Sequence, residues 1–376
     1  MSDPAELTPL RISLSVVIPV HNMAAHVRTT LASLATQTSN DFEVIVVDDG
    51  STDSTATVVR QVFAKGEIPR PRLAHTPHRG VSAARNAGAE LAAGAYVLFL
   101  DGDDRVAPDL VSIVTQTGGD SPDLICWGWD TVDPAGTILR RYFDAHPPHP
   151  GRVSGLTALR HRVVDRTIRT WTASVAYRRL FLLNHGLRFV EGSTCGEDME
   201  FAYKALARAR QVDLLDRTLS IYVKRPDSAS SRRDVRRFDS IEALERSYHD
   251  LAGNPDAEIR AIARNFPLNR YIRNYFHTLD SCLRQGGTPD VRGFLAQVEA
   301  QYPGLTNRVA ESLRGRLRKR LHTPMDQRLF LVSPVLWWHC RNARHIIDRF
   351  LPASWRTTSA RSLIRTAARL RRDTAW

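Results

Sequence analysis

The chain has 376 residues, of which 43% are hydrophobic and 24% are charged. This length and composition predict a folded protein of two or three parts and exclude a disordered or fibrous chain. The net charge of +12 is concentrated near the C-terminus, because residues 308–376 hold 16 Lys and Arg but only 4 Asp and Glu. The preceding residues hold 36 of each sign, so the excess positive charge belongs to a tail.

Neither a signal peptide nor a transmembrane helix is expected. The first ten residues contain neither a basic stretch nor an apolar run. The longest later apolar run, Leu329–Trp338, is broken by Ser333 and Pro334 and is about half as long as a bilayer span. The four cysteines lie far apart and lack the spacing of a zinc site, which favours free thiols. Together these features predict a cytoplasmic protein.

Strands and helices alternate from Leu14 to Trp127. In chain order we predict strands at Leu14–Val20, Phe42–Val47, near Leu73, Ala95–Leu100 and Asp123–Trp127. Helices are predicted at about 24–36, from a cap at Ser51 or Asp53 to Ala64, at Ser82–Ala92 and from Pro108. This pattern predicts an α/β fold with a parallel, doubly wound sheet. Because ligands bind beyond the carboxyl ends of such strands, the polar residues after positions 20, 47 and 100 should share one cleft.

The second half of the chain has a different pattern. Residues 151–231 are mixed, with a helix after Gly196–Asp198 and a strand near Leu219–Val223. From about Arg232 the pattern is helical, with interruptions at Pro267 and at Gly286–Gly287. We therefore predict an α/β domain over residues 1–235, a helical region over 236–307 and a basic helical tail over 308–376.

Three carboxylates, Asp101, Asp103 and Asp104, lie within four residues after a predicted strand. Such carboxylates repel one another unless a cation neutralises them, and their oxygens suit Mg²⁺ or Mn²⁺. Gly102 lets the backbone approach a ligand closely. The structural alternative is a solvated acidic turn that caps the next helix.

Two other acidic segments allow two interpretations each. Asp48–Asp53 can accept hydrogen bonds from a base or a ribose, or it can form an Asx turn and a helix cap. Glu197 and Asp198 begin a helix, where acidic side chains oppose the macrodipole. Alternatively, a carboxylate there can act as a general base that takes a proton from an attacking hydroxyl. No acidic cluster has the Gly-rich pattern of a phosphate-binding loop.

Six segments taken together resemble the family 2 glycosyltransferases, the inverting group with the GT-A fold. In order they are LSVVIPVHN (14–22), VDDGSTD (47–53), GVSAARNAG (80–88), FLDGDD (99–104), GEDMEF (196–201) and IYVKRPDSAS (221–230). Their order and spacing match the family over about residues 12–231. The resemblance implies a GT-A domain with a mainly parallel sheet, followed by a helical C-terminal region.

The resemblance also implies roles for particular side chains. The implied donor-binding residues are Pro19, Asn22, Asp49, Arg85, Asn86, Asp101, Arg225 and Ser228. Asp101 and Asp103 correspond to the family's DxD pair, which binds ribose and a divalent metal. Asp198 corresponds to the catalytic base, and Glu197 supports it.

The implied reaction moves a sugar from a nucleotide-diphosphate donor, with a UDP-sugar expected, to a hydroxyl of a glycan or lipid-linked acceptor in cell-surface polysaccharide synthesis. Mn²⁺ or Mg²⁺ would offset the charge on the leaving diphosphate. His21 departs from the family, which usually has Tyr or another residue there. Residues 171–174 match it only loosely, so the acceptor pocket is not defined. Trp127, Trp129 and Trp171 can stack on sugar rings or pack in the core.

The basic tail contains a dense cluster at Arg314–Arg320 and a second basic run at Arg361–Arg372. In the second run Leu363, Ala367 and Leu370 recur at helical spacing. Basic helices with apolar residues suit an anionic membrane surface, so a peripheral position at the inner face of the cell membrane is expected. The alternative is a solvated helical bundle. Nucleic acid is not an expected partner, because no binding fold accompanies the charge.

Two other functions remain as alternatives. A sugar-phosphate nucleotidyltransferase shares a similar nucleotide-binding sheet, but it needs a Gly-rich loop with a basic residue after the first strand. Residues 19–22 do not form such a loop. A non-catalytic glycan- or membrane-binding module is the other alternative, and the intact Asp101, Asp103 and Asp198 argue against it.

Overall fold

The computed structural model describes residues 12–225, 234–266, 271–284, 290–320 and 323–350. The chain is divided into two compact units, Met1–Tyr271 and Ile272–Trp376. Helices between residues 239 and 266 thus belong to the first unit. The predicted domain boundaries at 235 and 307 stay predictions.

The first unit is built on a ten-stranded sheet of described residues. Its strands are β1 (Leu14–Val20), β2 (Phe42–Asp49), β3 (Pro71–Thr76), β4 (Tyr96–Phe99), β5 (Arg105–Val106), β6 (Leu124–Val132), β7 (Ile138–Arg140), β8 (Gly151–Val153), β9 (Val175–Arg178) and β10 (Val212–Val223). The strand order is β3-β2-β1-β4-β9-β6-β10-β5, with β7 beside β6 and β8 beside β10. The sheet is parallel from β3 to β4 and between β6 and β10, whereas β9 runs antiparallel to β4 and β6.

Helices cover both faces of this sheet. Those of the first unit are α1 (Val27–Ala35), α2 (Thr55–Phe63), α3 (Val81–Leu91), α4 (Leu110–Gly118), α5 (Tyr142–Ala145), α6 (Gly155–Arg160), α7 (Arg179–Asn184), α8 (Glu197–Arg208), α9 (Asp239–Ala252) and α10 (Ala257–Phe266). Those of the second unit are α11 (Ile272–Leu283), α12 (Val291–Gln301), α13 (Leu305–Arg318), α14 (Met325–Val332) and α15 (Pro334–Phe350). The predicted α/β architecture with a helical C-terminal region is confirmed.

The apolar strands are buried on both faces, as their sequences predict. Every residue of β1 and β2 is buried. Val17 and Ile45 belong to the hydrophobic core that includes residues of α3 and α8. Val16 and Val46 belong to a second core, which includes residues of α1, α2 and α4. The alternation along each strand therefore divides its side chains between two helical layers.

The structure corrects three details of the sequence prediction. Helix α2 has Ser54 at its N-cap position, without a side-chain cap, rather than Ser51 or Asp53. Asp53 instead accepts a hydrogen bond from the backbone N–H of Thr55 at 2.9 Å. The strand expected near Leu219 begins earlier, at Val212, and β9 was not predicted at all. The predicted interruptions at Pro267 and Gly286–Gly287 lie outside the described residues.

The second unit has an aromatic core. The ring centroids of Phe276 and Phe330 are 5.0 Å apart, and those of Phe276 and Trp337 are 5.3 Å apart. Arg341 of α15 forms ion pairs with Asp280 at 3.1 Å and with Asp326 at 2.9 Å. These contacts join α11, α14 and α15. In the part of the chain that the structure describes, no helix has the length and apolar character required to cross a membrane.

The basic tail is only partly described. Arg314, Arg318, Lys319 and Arg320 are exposed, at or just after α13. The second basic run, 361–372, lies outside the described residues, and so does the amphipathic pattern predicted there.

Candidate active site

The turns that follow β1, β2 and β4 meet at one edge of the sheet. These strands are parallel neighbours, and Val17 of β1 is in register with both Ile45 and Phe99. Gly102 lies against the end of β1, since a Cβ built on it would be 3.3 Å from the carbonyl oxygen of Pro19. The predicted cleft residues are therefore brought together at the carboxyl ends of the strands.

Asn22 joins the first two of these turns. It has a left-handed backbone, with φ of 53°, which Asn tolerates better than most residues. Its side-chain oxygen accepts hydrogen bonds from the N–H groups of Thr52 at 2.8 Å and Asp53 at 3.3 Å. Its own N–H donates to the Ser51 hydroxyl at 3.0 Å. Asn22 thus orders the loop after β2, and its contact with a nucleotide stays a prediction.

Asp49 organises the loop between β3 and α3. The side chain is buried and accepts hydrogen bonds from the N–H groups of Arg79 at 2.9 Å and Gly80 at 2.8 Å. The imidazole Nδ1 of His78 lies 2.9 Å from the same carboxylate. The rings of His21 and His78 stack with centroids 3.9 Å apart. The sequence did not indicate this anchoring role, and base recognition by Asp49 stays a prediction.

Arg85 links two of the acidic segments. It donates to the carboxylate of Asp101 at 2.6 Å and to that of Glu197 at 2.9 Å, and only 4% of its side chain is exposed. Burial by itself would lower the pKa of Arg85, but the two carboxylates raise it above its ordinary value. Burial raises the pKa of Glu197, and the adjacent Asp198 carboxylate raises it further. Arg85 therefore connects the turn after β4 to the start of α8.

A second arginine engages the same acidic turn from β10. Arg225, two residues beyond β10, donates to Asp103, and both side chains are largely buried. Asp104 is buried and accepts a hydrogen bond from the N–H of Val223 at 2.8 Å. Burial raises the pKa of Asp104 well above its ordinary value, and the charges of Asp103 and Asp101 add to the effect. Ser228, predicted to follow in this segment, lies outside the described residues.

Asn86 fixes the segment that leads towards α8. Its side-chain amide donates to the carbonyl of Phe189 at 3.0 Å and accepts from the N–H of Phe189 at 2.9 Å. Both groups are buried. Asn86 therefore has a clear structural role, while its predicted position beside the nucleotide is not tested by these contacts.

Asp198 lies in the first turn of α8 and is half-buried. Its carboxylate accepts a hydrogen bond from the N–H of Met199 at 2.7 Å. Gly196 precedes the helix in a left-handed conformation with φ of 86°, and a Cβ there would be 2.8 Å from Cα of Ser240 in α9. The packing of α9 against this glycine therefore helps to fix the direction in which α8 presents Asp198.

The predicted binding of a divalent cation by Asp101 and Asp103 stays a prediction, since in the structure these carboxylates pair with Arg85 and Arg225. Within the described ranges, no group of three or more His, Cys, Asp or Glu side chains is placed to hold a metal ion. Mg²⁺ in nucleotide enzymes is often bound by one or two carboxylates, with phosphate oxygens and water as the other ligands. Asp101 and Asp103 are the two carboxylates predicted for that role.

Two of the three tryptophans that were considered for stacking on sugar rings are buried. Trp127 and Trp129 are 2% and 6% exposed, and the Trp127 indole donates to the Ser220 hydroxyl at 2.8 Å. Trp171 is half-buried. Core packing therefore accounts for Trp127, whereas Trp171 keeps an accessible surface.

Comparison with known proteins identifies the family. Residues 15–179 match the family model described as "Glycosyl transferase family 2", and this stretch contains Asp49, Arg85, Asp101 and Asp103. Residues 15–179 form a domain of glycosyltransferase family 2. The predicted family is therefore confirmed, and family membership favours sugar transfer over nucleotide transfer.

Several bacterial proteins are similar to this chain. EpsH of Bacillus subtilis (strain 168), named as a glycosyltransferase, is 29% identical over 62% of this chain and 67% of that protein. The uncharacterized glycosyltransferase YibD of Escherichia coli (strain K12) is 32% identical over 53% of this chain and 59% of that protein. The succinoglycan biosynthesis protein ExoO of Rhizobium meliloti (strain 1021) is 28% identical over 90% of this chain and 88% of that protein. The chain thus spans less than two thirds of YibD but most of ExoO.

Solved structures show the same fold at low sequence identity. S. aureus TarS (residues 1–349) in complex with UDP-GlcNAc has a TM-score of 0.59 and 20% identity, over 83% of this chain and 93% of that chain. A mannosyltransferase of Pyrobaculum calidifontis in complex with GDP-Man and Mn²⁺ has a TM-score of 0.51 and 17% identity, over 87% and 85% of the two chains. The predicted GT-A fold of this family 2 glycosyltransferase is confirmed.

Proposed function

We propose that the protein transfers a sugar from a nucleotide-diphosphate donor to a hydroxyl of a glycan or lipid-linked acceptor, with inversion, in cell-surface polysaccharide synthesis. The observation that carries this proposal is the contact of Arg85 with both Asp101 and Glu197. It joins the turn expected to hold the donor diphosphate to the helix that carries Asp198. The family match and the similarity to a succinoglycan biosynthesis protein support the proposal.

The donor is proposed to be a UDP-sugar. TarS binds UDP-GlcNAc and UDP, and the mannosyltransferase of Pyrobaculum calidifontis binds GDP-Man. Asp49 and Asn22 lie at the loops where the base and ribose are expected. The imidazoles of His21 and His78, which stack on each other beside Asp49, are proposed to lie next to the base. A comparison of UDP and GDP donors therefore belongs to the test.

Transfer is proposed to occur in one displacement. Asp198 takes the proton of the acceptor hydroxyl, and the oxygen lone pair forms a bond to the anomeric carbon. The bond between that carbon and the phosphate oxygen breaks, and its electrons leave with the nucleoside diphosphate. Attack from the face opposite the leaving group inverts the anomeric configuration.

The charged side chains around this reaction have supporting roles. A bound Mn²⁺ or Mg²⁺ at Asp101 and Asp103 would stabilise the negative charge of the leaving diphosphate. Arg85 holds Asp101 in place and keeps the buried Glu197 paired. Arg225 pairs with Asp103 and so lies beside the expected diphosphate.

A peripheral membrane position is proposed for the second unit. Arg314, Arg318 and Lys319 are exposed and provide positive charge. Val332 and Leu336 are 65% and 43% exposed and provide apolar surface near the junction of α14 and α15. Exposed basic and apolar side chains together favour an anionic membrane surface.

Product analysis and metal dependence test the proposed reaction. The wild-type protein is expected to release UDP or GDP from nucleotide sugars when Mn²⁺ is present, and to lose this activity in EDTA. Asp103→Ala should make donor binding independent of Mn²⁺, because one of the two carboxylate ligands is removed. Calorimetric titration of UDP and of GDP, with and without Mn²⁺, measures this dependence.

Asp120→Ala is the matched control. Asp120 is exposed and precedes β6, at the edge of the sheet opposite the candidate site. This variant should keep both the Mn²⁺ dependence and the activity of the wild type. Release of pyrophosphate instead of a nucleoside diphosphate would identify a nucleotidyltransferase. Unchanged Mn²⁺ dependence in Asp103→Ala would remove Asp103 from the metal site.

A further inference from the structure

The aromatic rings of Trp129 on β6, Tyr222 on β10 and Trp171 form a connected group. The centroid of Trp171 is 5.7 Å from that of Trp129 and 5.5 Å from that of Tyr222. Trp171 and Tyr222 are half-buried, so each keeps an accessible face or edge. The short 3₁₀ turn at Thr172–Ser174 packs against α8, whose first turn carries Asp198. The aromatic group therefore lies next to the element that presents the predicted base.

Arg169 places a positive charge on this aromatic group. Its guanidinium lies 5.9 Å from the centroid of the Trp129 ring. The Tyr142 hydroxyl holds its backbone, 2.9 Å from the N–H and 3.0 Å from the carbonyl oxygen of Arg169. The residue is nevertheless exposed. Among the described residues, no carboxylate lies within ion-pair distance of its guanidinium, whereas Arg85 and Arg225 both pair with carboxylates.

Arg140 adds a second positive charge on the same face of the sheet. Thr131 of β6 is in register with Tyr222 of β10 on one side and with Arg140 of β7 on the other. Residues in register across neighbouring strands project to the same face. The Thr131 hydroxyl is buried and has no hydrogen-bond partner within the described part of the chain. Arg140 is exposed.

Other positive charges lie near Arg169. Desolvation lowers the pKa of Arg169, and the positive charges of Arg162 and Arg140 lower it further, while Asp198 acts in the opposite direction. The pKa of His146 is lowered as well, first by desolvation and then by the Arg169 charge. A bound anion would relieve this repulsion. To act as the proposed base Asp198 has to be ionised, so an anionic group of the acceptor has to be held apart from it.

We propose that Arg169 and Arg140, with the rings of Trp171 and Tyr222, bind an acceptor sugar that carries a carboxylate or a phosphate. This inference rests on the proposed function, since it takes Asp198 as the base that activates the acceptor hydroxyl. Aromatic rings bind the apolar faces of sugars, and a guanidinium pairs with the planar oxygens of a carboxylate or a phosphate. Arg169 pairs with the anionic group and so holds it away from Asp198.

Binding measurements with simple acceptor analogues test the proposal. The full-length protein is saturated with UDP and Mn²⁺, so that the donor site is filled. Methyl β-D-glucuronide, sn-glycerol 3-phosphate and the neutral methyl β-D-glucoside are then titrated and their dissociation constants are measured by calorimetry. We expect at least one anionic probe to bind about tenfold more tightly than the neutral glucoside, which is the usual value of one charge-assisted hydrogen bond. Tight binding of the glucuronide indicates a uronic acid, and tight binding of the glycerol phosphate indicates a phosphorylated acceptor.

Substitutions at Arg169 show whether this residue is responsible. Arg169→Gln should remove the preference for the anionic probe, and Arg169→Lys should keep part of it because the charge remains. Arg210→Gln is the matched control, since Arg210 is exposed and lies before β10, at the opposite edge of the sheet. This control should retain the full preference.

Two results would overturn the inference: equal affinities of the wild type for all three probes, or an undiminished preference in Arg169→Gln. Donor hydrolysis is also measured in the wild type and in Arg210→Gln. This measurement distinguishes a failure of the acceptor inference from a failure of the proposed function. Hydrolysis without anion preference overturns the acceptor inference alone. Absence of nucleoside diphosphate release with every donor overturns the proposed function.

Discussion

At the scale of single residues, Arg85 has the most constrained environment of the candidate site. It lies on α3, its guanidinium lies 5.1 Å from the centroid of the Phe189 ring, and it pairs with Asp101 and Glu197. Burying an ion pair has a desolvation cost, and replacing one partner leaves the other as an unpaired buried charge. The arrangement therefore fixes the relative positions of the acidic turn and the start of α8, at a site where small displacements alter catalysis strongly.

Asp198 is the residue whose role is most directly tested by substitution. Asp198→Asn keeps the size of the side chain and most of its hydrogen bonding but removes the proton acceptor. Donor affinity should stay near that of the wild type, because the expected nucleotide and metal contacts come from Asp49, Asp101 and Asp103. The transfer rate should fall by about 10² to 10⁴, the usual contribution of a positioned general base. Steady-state kinetics with a saturating donor, together with calorimetry of UDP binding, measures both quantities.

Asp120→Asn serves as the control for this substitution, because it changes an exposed carboxylate far from the cleft. A loss of donor affinity in Asp198→Asn that equals the loss of rate would indicate a binding role. If the variant keeps most of its transfer rate, Asp198 only supports the first turn of α8. Glu197 would then be the next candidate for the base.

At the scale of elements, the close approach of α3 to β1 positions Arg85 and Asn86. Gly88 faces β1, and a Cβ built on it would be 2.2 Å from Cγ1 of Val17. Val17 is fully buried, so it cannot move aside without disturbing the core. Gly88 therefore sets the distance between this helix and the sheet, and through it the depth of the Arg85 guanidinium.

Gly88→Ala should destabilise the protein by about 1–3 kcal/mol, the usual cost of adding a methyl group to a closely packed core. It should also weaken donor binding, since α3 has to move away from β1 and carries Arg85 with it. Urea unfolding and UDP titration check the two effects. Gly315→Ala in α13 is a suitable control, because among the described residues no atom outside its own stretch of helix lies within 4 Å of a Cβ built there. Alanine is the better helix former, so this variant should be unchanged or slightly more stable. Equal stability of the two variants would contradict the packing argument.

At the scale of the whole molecule, the charge distribution predicts which surface of the protein would contact a membrane. Arg314, Arg318 and Lys319 lie at the end of α13 in the second unit. Each basic residue near an anionic surface contributes about 1 kcal/mol, so their combined replacement by Gln should weaken binding to vesicles containing phosphatidylglycerol by about 100-fold. Sedimentation with such vesicles, at several salt concentrations, measures the loss. The full chain is used because a deletion from residue 308 would cut α13 in two.

The control for the vesicle experiment is the replacement of three exposed arginines of the first unit, Arg72, Arg188 and Arg210, by Gln. This variant loses the same charge and should still sediment with the vesicles. If both triple variants bind equally, the attraction is a property of net charge rather than of α13. Binding that is independent of salt would also contradict an electrostatic contribution.

The sequence by itself determined the local elements and their order. Leu14–Val20 and Phe42–Val47 are strands in the structure because continuous β-branched and apolar runs suit strands covered on both faces. The acidic segments follow these strands directly, so their position at the carboxyl edge of a parallel sheet also follows from the sequence. The ends of helices were less well predicted. In α2, for example, Ser54 rather than Asp53 occupies the cap position.

Only the tertiary structure decided which of these segments touch. Arg85 and Glu197 are 112 residues apart, and Asp104 and Val223 are 119 residues apart, yet each pair forms a buried hydrogen bond. Strand and helix patterns repeat over a few residues and carry no information about such distant partners. Their contacts depend on the strand order, in which β9 is inserted between β4 and β6, and on the hydrophobic core to which both α3 and α8 contribute. For the same reason the sequence indicated Trp171 as a possible sugar contact but gave no sign of Arg169 beside Trp129, since that proximity is created by folding alone.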